Sequence, residues 1–169
     1  EIVPEAGDIT IEDMIADEDM VITVTSAGYI KRSPLAAYRE QQRGGKGRTG
    51  MLTKGEDDFV EHLFVASAHS YILVFTQSGR VHWLKVHQVP ESGPAAKGKA
   101  IVNLLQLGPE ERVATTVAVK EFRDDVSLVF ASERGVVKKT ELSAYGNPRP
   151  GGIIGINIEE GDPLAARRL

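Results

Sequence analysis

The chain contains no cysteine, and this absence removes two classes of site at once. Disulfides and thiolate metal centres both need cysteine sulfur, so both are excluded. The four histidines, His62, His69, His82 and His87, include no HxxxH or HExxH pair. We therefore predict no metal site and no cofactor in this chain.

Long hydrophobic runs are also missing. None approaches the roughly 20 apolar residues that a membrane helix needs, and the acidic N-terminus is unlike a signal peptide. We expect a cytoplasmic protein without a membrane partner. Helical periodicity is nearly absent, apart from a possible short turn within residues 10–19. Because 41% of the 169 residues are apolar, the chain can still form one or two ordinary cores.

Motifs for catalysis are scarce. Serine and histidine have no nucleophile context such as GxSxG. Residues 93–100, GPAAKGKA, nearly match the nucleotide-binding pattern GxxxxGKS/T. However, Ala100 stands where a hydroxyl for Mg²⁺ is required, and no amphipathic helix follows. We predict no enzyme activity and no small-molecule substrate.

Charge is segregated along the sequence, although the net charge is only −4. Residues 1–20 hold eight acids and no base, whereas residues 28–54 hold seven bases and one acid. Residues 55–61 are acidic again. A polyanion responds to the local field of one face, so the acidic total does not exclude a nucleic-acid partner.

The sequence repeats three times. Residues 20–38 (MVITVTSAGYIKRSPLAAY), 71–89 (YILVFTQSGRVHWLKVHQV) and 126–145 (VSLVFASERGVVKKTELSAY) can be laid over one another. Each reads as a strand, a turn that closes on Gly28, Gly79 or Gly135, and a second strand carrying bases. A glycine-rich connection, a third strand, an acidic turn and a fourth strand follow in each unit. The acids of these turns are interpreted as solvated.

Four-stranded units of about 50 residues predict an all-β, propeller-like fold in which each blade packs against its neighbours. We place the blades at about 19–68, 70–120 and 125–169, the last one incomplete, within a single partial domain spanning residues 1–169. A β-sandwich is the structural alternative, but it would not explain the repeat.

Basic residues recur at matching places of the units, on the second strands and in the glycine-rich connections. Lysine on one exposed strand is usually there for solubility, but recurrence in three units favours a common basic rim, the footprint of a phosphate backbone. His82 and Trp83 are predicted to be ordinary strand residues, one outward and one packed. The predicted rim residues are Lys31, Arg32, Arg39, Arg48, Lys54, Arg80, Lys85, Lys97, Lys99, Lys138, Lys139 and Arg149.

The first connection, REQQRGGKGRTGM at residues 39–51, concentrates four bases and four glycines around one acid. Glycine allows backbone N–H groups to approach phosphate oxygens, which would suit anion binding. A flexible loop whose bases only keep it soluble is the alternative, and the local sequence does not decide between them.

The heptad within this connection resembles the glycine-rich box, QRRGGKG, found in the C-terminal domains of DNA gyrase A subunits. Gln42 departs from the family pattern, which has a base there. The likeness continues through GRVHWLKVHQVPE, GKAIVNLLQLGPEERV, GVVKKTEL and GIIGINIEEGDPL, and so covers the whole length. Carried over position by position, the box consists of Gln41, Gln42, Arg43, Gly44, Gly45, Lys46 and Gly47.

This resemblance implies a β-pinwheel of six blades that exchange strands, of which the chain would cover about three. It implies that the basic rim bends and wraps duplex DNA, within a gyrase that introduces negative supercoils. ATP and Mg²⁺ would be used on other domains, and the catalytic tyrosine would lie in a domain upstream. The expected partners are duplex DNA, the gyrase B subunit, and the rest of the gyrase A subunit, in the nucleoid.

Two alternatives stay open from the sequence. A propeller can serve only as a scaffold for other proteins, since fold alone does not determine function. A topoisomerase IV C-terminal domain is closely related, although that family usually lacks an intact box.

Overall fold

The computed structural model describes residues 11–38, 51, 58–93, 95–159 and 161–168, with the backbone alone for residues 165–168. A 3₁₀ turn at Ile11–Met14 comes first, within the stretch where the sequence predicts a short turn. The rest is almost entirely β, as predicted.

Each repeat begins with an antiparallel hairpin. The β-branched and aromatic runs form its first strand, and the predicted glycine closes the turn with a left-handed backbone, at φ +78° for Gly28, +82° for Gly79 and +93° for Gly135. The hairpins are β1 (Asp19–Thr25) with β2 (Tyr29–Pro34), β4 (Tyr71–Thr76) with β5 (Arg80–Lys85), and β8 (Ser127–Ser132) with β9 (Val137–Glu141).

The remaining strands come from the second half of each repeat. They are β3 (Val60–Ser67), β6 (Lys99–Ala100), β7 (Val113–Val119), β10 (Ile153–Ile154) and β11 (Leu164–Arg168), with a one-turn helix α1 (Ile101–Leu104) after β6. Three 3₁₀ turns that the sequence did not predict follow the hairpins, at Leu35–Ala37, Val86–Gln88 and Leu142–Tyr145.

The strands form three sheets that exchange strands between repeats. The first sheet has the order β3-β1-β2-β6 and the second β10-β5-β4-β7, while the third contains β11-β8-β9 in the described part of the chain. The short strands β6 and β10 thus belong by sequence to the second and third repeats, but each completes the sheet of the repeat before it. The chain forms one separate sheet for each repeat, and two of these sheets take a strand from the following repeat. This arrangement excludes the β-sandwich alternative.

Backbone hydrogen bonds at the hairpin glycines secure each exchange. The N–H of Ile101 donates to the carbonyl of Gly28 at 2.9 Å, and the N–H of Gly155 donates to the carbonyl of Gly79 at 2.8 Å. The exchanged chain also passes very close to the second strand, since a Cβ on Gly98 would lie only 2.4 Å from the Ile30 carbonyl oxygen. Glycine is therefore required for this approach between backbones.

Two apolar cores join the three sheets face to face. Alternate residues of β4 enter different cores, with Ile72 and Val74 in the core shared with the first sheet, and Leu73 and Phe75 in the core shared with the third. Because both faces of the second sheet are covered, β4 is a continuous apolar run without polar alternation.

We predict that Gly98→Ala destabilises the protein more than Gly28→Ala. Both glycines have φ +78°, but a Cβ on Gly28 meets nothing within 4 Å. Gly28→Ala should lower the free energy of unfolding by about 1 to 2 kcal/mol, the strain of a left-handed backbone. Gly98→Ala should cost about 1 to 3 kcal/mol more, because the packed strands must move apart. Urea denaturation of both variants measures the difference. If both variants lose the same free energy of unfolding, the close approach between the backbones does not contribute to the cost.

Candidate nucleic-acid interface

The strand order places those predicted rim bases that the structure describes towards one edge of the sheets. The second hairpin strand and the exchanged strand lie next to each other at this edge, and the connection leading to the exchanged strand arrives there. We call this the basic edge. The described rim residues on it are Lys31 and Arg32 on β2, Arg80 and Lys85 on β5, Lys97 before β6, Lys99 on β6, Lys138 and Lys139 on β9, and Arg149 before β10. The box residues 41–47 and Arg39, Arg48 and Lys54 lie outside the described residues.

Three of these bases are exposed and uncommitted. Lys99, Lys139 and Arg149 are each solvent-exposed, and within the described part of the chain none forms a hydrogen bond or ion pair through its side chain. Lys99 belongs to the second repeat, yet the exchange places it on the first sheet, opposite Ile30 of β2. Exposed, flexible cations of this kind can neutralise phosphates without reading bases.

Three further bases are held in position but keep some donors available. The guanidinium of Arg80 donates to the Gly151 carbonyl at 2.8 Å, and the ammonium of Lys138 donates to the Gly155 carbonyl at 2.8 Å. The ammonium of Lys97 lies 4.6 Å from the centre of the Tyr29 ring, a cation–π distance. A guanidinium has five N–H donors and an ammonium three, so these contacts leave further donors available.

Lys31 corrects the sequence-based expectation of an exposed base. Its side chain is fully buried, at 0% exposure, and its ammonium donates to the Gly93 carbonyl at 3.0 Å. Burial lowers the pKa of Lys31. The ammonium therefore ties β2 to the connection of the next repeat, and in this arrangement it cannot reach a phosphate.

Arg32 also has a joining role between repeats. Its Nε–H donates to the Val89 carbonyl at 2.7 Å, and its guanidinium pairs with Glu91 at 2.8 Å. Trp83 stands at the equivalent place, four residues after its hairpin glycine, and its indole N–H donates to the Tyr145 carbonyl at 2.8 Å. Both acceptors precede the connection to an exchanged strand. In both repeats, this position thus carries a long side chain whose N–H donates to the following repeat or to the chain leading into it, whether or not that donor is charged.

Lys85 is engaged by an acid that the sequence did not pair with it. Its ammonium lies 2.7 Å from a carboxylate oxygen of Glu12 and 3.8 Å from the centre of the Tyr71 ring. The hydrogen bond with Lys85 lowers the pKa of Glu12, so the carboxylate is charged at neutral pH. The acidic composition of residues 1–20 was the signal that could have suggested such a contact.

Two acids of the acidic turns are structural, which corrects their interpretation as solvated. Asp58 and Asp162 are buried, and each accepts hydrogen bonds from the hairpin turn of its own repeat. The hydroxyl of Ser26 donates to Asp58 at 3.1 Å, and the hydroxyl of Ser132 donates to Asp162 at 2.6 Å. Backbone N–H groups of the same turns donate to these carboxylates as well. Each acid thus holds a hairpin turn in shape.

His82 is packed at the joint between the second and third repeats, while Trp83 is half-buried. A Cβ on Gly152 would lie 2.7 Å from the His82 ring, so the glycine-rich connection crosses directly over the imidazole. Trp83 packs against the second core as well, so the prediction of one packed and one outward residue holds for His82 but is wrong for Trp83. A role for His82 at the surface is excluded by this burial.

Repeated sheets that are completed by strands from the following repeat define a propeller-like class of β protein. The sequence profile of the "DNA gyrase C-terminal domain, beta-propeller" matches residues 19–67, 70–120 and 127–166. The chain belongs to this family of DNA gyrase C-terminal domains.

Individual relatives agree with this membership. The A subunit of DNA gyrase from Clostridium acetobutylicum is 48% identical over 163 residues, which are 96% of this chain and 20% of that protein. The chain thus spans about a fifth of this relative's length. The C-terminal domain of DNA topoisomerase IV matches with a TM-score of 0.77 and 26% identity, over 92% of this chain and 46% of that one. A DNA gyrase A C-terminal domain shares the fold, with a TM-score of 0.66 and 22% identity over 89% of this chain and 47% of that one.

Membrane-spanning helices and clustered metal ligands are both missing from the described residues. No helix among them has the length and apolar character to cross a membrane. Nor does the described part of the chain contain a group of three or more His, Asp or Glu residues placed to hold a metal ion.

The burial of His82 predicts a specific acid sensitivity. Burial, with a smaller contribution from Arg80, lowers the pKa of His82 below its ordinary value of 6.5, against the opposing effect of Glu111. Because the folded pKa lies below the unfolded one, the stability is fully present above about pH 6.5 and is lost as pH falls towards the folded pKa. His82→Gln should remove up to about 1.4 kcal/mol per pH unit of this loss.

Urea denaturation at about pH 7.5 and about pH 5.5 measures this effect on the unfolding free energy. His62→Gln, on the edge strand β3, is the matched control and should keep the acid sensitivity of the unsubstituted chain. An unchanged pH dependence in His82→Gln would contradict the assignment.

Proposed function

We propose that this chain binds duplex DNA without sequence preference along its basic edge and bends it, as the wrapping part of a DNA gyrase A subunit. The observation that carries the proposal is the placement of the described rim bases on one edge of three consecutive sheets, with Lys99, Lys139 and Arg149 exposed and uncommitted. Membership in the gyrase C-terminal family supports the same function.

The physical requirements of bending fit this surface. Bending a short duplex sharply costs on the order of 1 to 10 kcal/mol, and many phosphate contacts are needed to offset that cost. Lysine and arginine at the basic edge supply contacts that do not depend on base sequence. Because each exchanged strand links one sheet to the next, the duplex would follow the basic edge from repeat to repeat.

In the whole gyrase, this chain would act without catalysing a reaction itself. We propose that it holds a DNA segment for strand passage while other domains cleave DNA and hydrolyse ATP with Mg²⁺. Its proposed protein partners are the gyrase B subunit, together with the rest of the A subunit, and its proposed location is the nucleoid. The box residues 41–47 are proposed to contact DNA as part of the same edge.

A topoisomerase IV C-terminal domain is the second candidate, favoured by the TM-score of 0.77. The gyrase assignment is preferred because the heptad retains Gly44, Gly45 and Lys46, and because the identity to a gyrase A subunit reaches 48%. The distinction would appear in the extent of wrapping, since supercoiling requires that the duplex be wrapped and not only bound.

Reversing two exposed charges of the basic edge should weaken DNA binding in a salt-dependent way. In the double variant Lys99→Glu, Lys139→Glu, the plot of log K against log salt should become shallower by about 1.8, since each lost phosphate contact removes about 0.9. Fluorescence anisotropy of a labelled duplex over a salt series measures this slope.

The matched control reverses two exposed bases that flank β7, at the opposite edge of the second sheet. Arg112→Glu, Lys120→Glu carries the same change in net charge, but should leave the slope unchanged. Equal weakening by both pairs would show that DNA does not follow the basic edge. If neither pair changes affinity, a scaffold for proteins would replace DNA binding as the function.

A further inference from the structure

The acidic segment before the first strand occupies part of the basic edge. The carboxylate of Glu12 lies 2.7 Å from the ammonium of Lys85 and 3.6 Å from Nε2 of His87, both on the second sheet or the turn that follows it. The side chain of Lys85 is only 16% exposed with Glu12 in place. A carboxylate oxygen is therefore seated where a phosphate oxygen would bind the same ammonium.

Several contacts anchor residues 11–18, which we call the acidic latch. The Nε2–H of His69 donates to the Ile15 carbonyl at 2.7 Å, and the N–H of Ala68 donates to the Glu18 carbonyl at 2.9 Å. The side chain of Ile15 packs against the first core, and Asp17 accepts a hydrogen bond from Ser67. The position of Glu12 over Lys85 is thus fixed by backbone and apolar contacts as well as by charge.

The electrostatics of this contact favour competition with a polyanion. Burial lowers the pKa of Lys85, but hydrogen bonds to Glu12 and Tyr71 outweigh it and raise the pKa, so the lysine stays charged. Residues 11–18 contain four acids and no base, which gives the latch a field of the same sign as DNA. Duplex DNA that reached Lys85 would find its ammonium already paired with Glu12, and would be repelled by the other acids of the latch.

We propose that the acidic latch is an intramolecular competitor of DNA, in which Glu12 holds Lys85 until phosphate replaces it. This inference rests on the proposed function, because it assigns the latch to the surface that binds DNA. Glu12 and phosphate exclude each other at Lys85, so Glu12 lowers DNA affinity and bound DNA displaces the Glu12 carboxylate from Lys85. While Glu12 holds Lys85, the basic edge binds one phosphate fewer than it does once Lys85 is released.

The test is Glu12→Gln, compared with Glu110→Gln as the matched control. Both remove one negative charge from a side chain that the structure places at the surface, but Glu110 lies in the turn before β7, away from Lys85. Glu12→Gln should bind a labelled duplex about two- to fivefold more tightly, the factor that an exposed ion pair supports. Its salt slope should steepen by about 0.9, since one more phosphate contact forms. Glu110→Gln should match the unsubstituted chain in both respects.

A Lys85→Gln background separates competition from a general charge effect. There, adding Glu12→Gln should give no further gain, because the contested cation is gone. A gain of the same size with and without Lys85 would overturn the inference, as would equal affinity of Glu12→Gln and the unsubstituted chain. Either result leaves DNA binding itself intact. If no variant binds duplex DNA in a salt-dependent way, the proposed function fails, and the competition fails with it.

Discussion

Backbone hydrogen bonds between consecutive repeats are the interaction on which the rest of this structure depends. The carbonyls of Gly28 and Gly79, at the turns of the first two hairpins, accept N–H groups from the repeat that follows. An isolated hairpin is marginal in water, and a free sheet edge leaves backbone groups unpaired. Each repeat therefore stabilises the one before it, and the connecting chain must run along the edge that it completes.

This constraint determines where charge can lie. Because the connection has to reach the second strand of the preceding sheet, its bases arrive beside that strand, as Lys99 does opposite Ile30. The acidic turns lead instead into the strands of the opposite edge, and the carboxylates of Asp58 and Asp162 are used within the fold. An acidic chain can in this way present a basic edge, while its excess acids include the latch that closes over Lys85.

The repeat, the hairpins and their glycines could be predicted from sequence because they depend on local patterns, a β-branched run and a left-handed turn. The partner of each short third strand could not, since two-residue strands such as Lys99–Ala100 pair with a different repeat and carry no periodic signal. For the same reason the burial of Lys31 was not predictable: its acceptor, Gly93, is 62 residues away. A lysine exposed on a strand and a lysine buried against the next repeat look alike in sequence. Only the position of the neighbouring repeat in the fold distinguishes them. The family likeness supplied strand exchange, but not the residues that perform it.

Duplex DNA held bent along the basic edge is the central claim, and the distance between the two ends of the duplex reports on it. Energy transfer between dyes on the ends of a duplex much shorter than the persistence length of about 150 bp tests it most directly, because the free duplex is stiff on that scale. We predict that energy transfer rises as the chain binds and returns to the free value when salt releases it. Saturated binding without any change in energy transfer would contradict the claim.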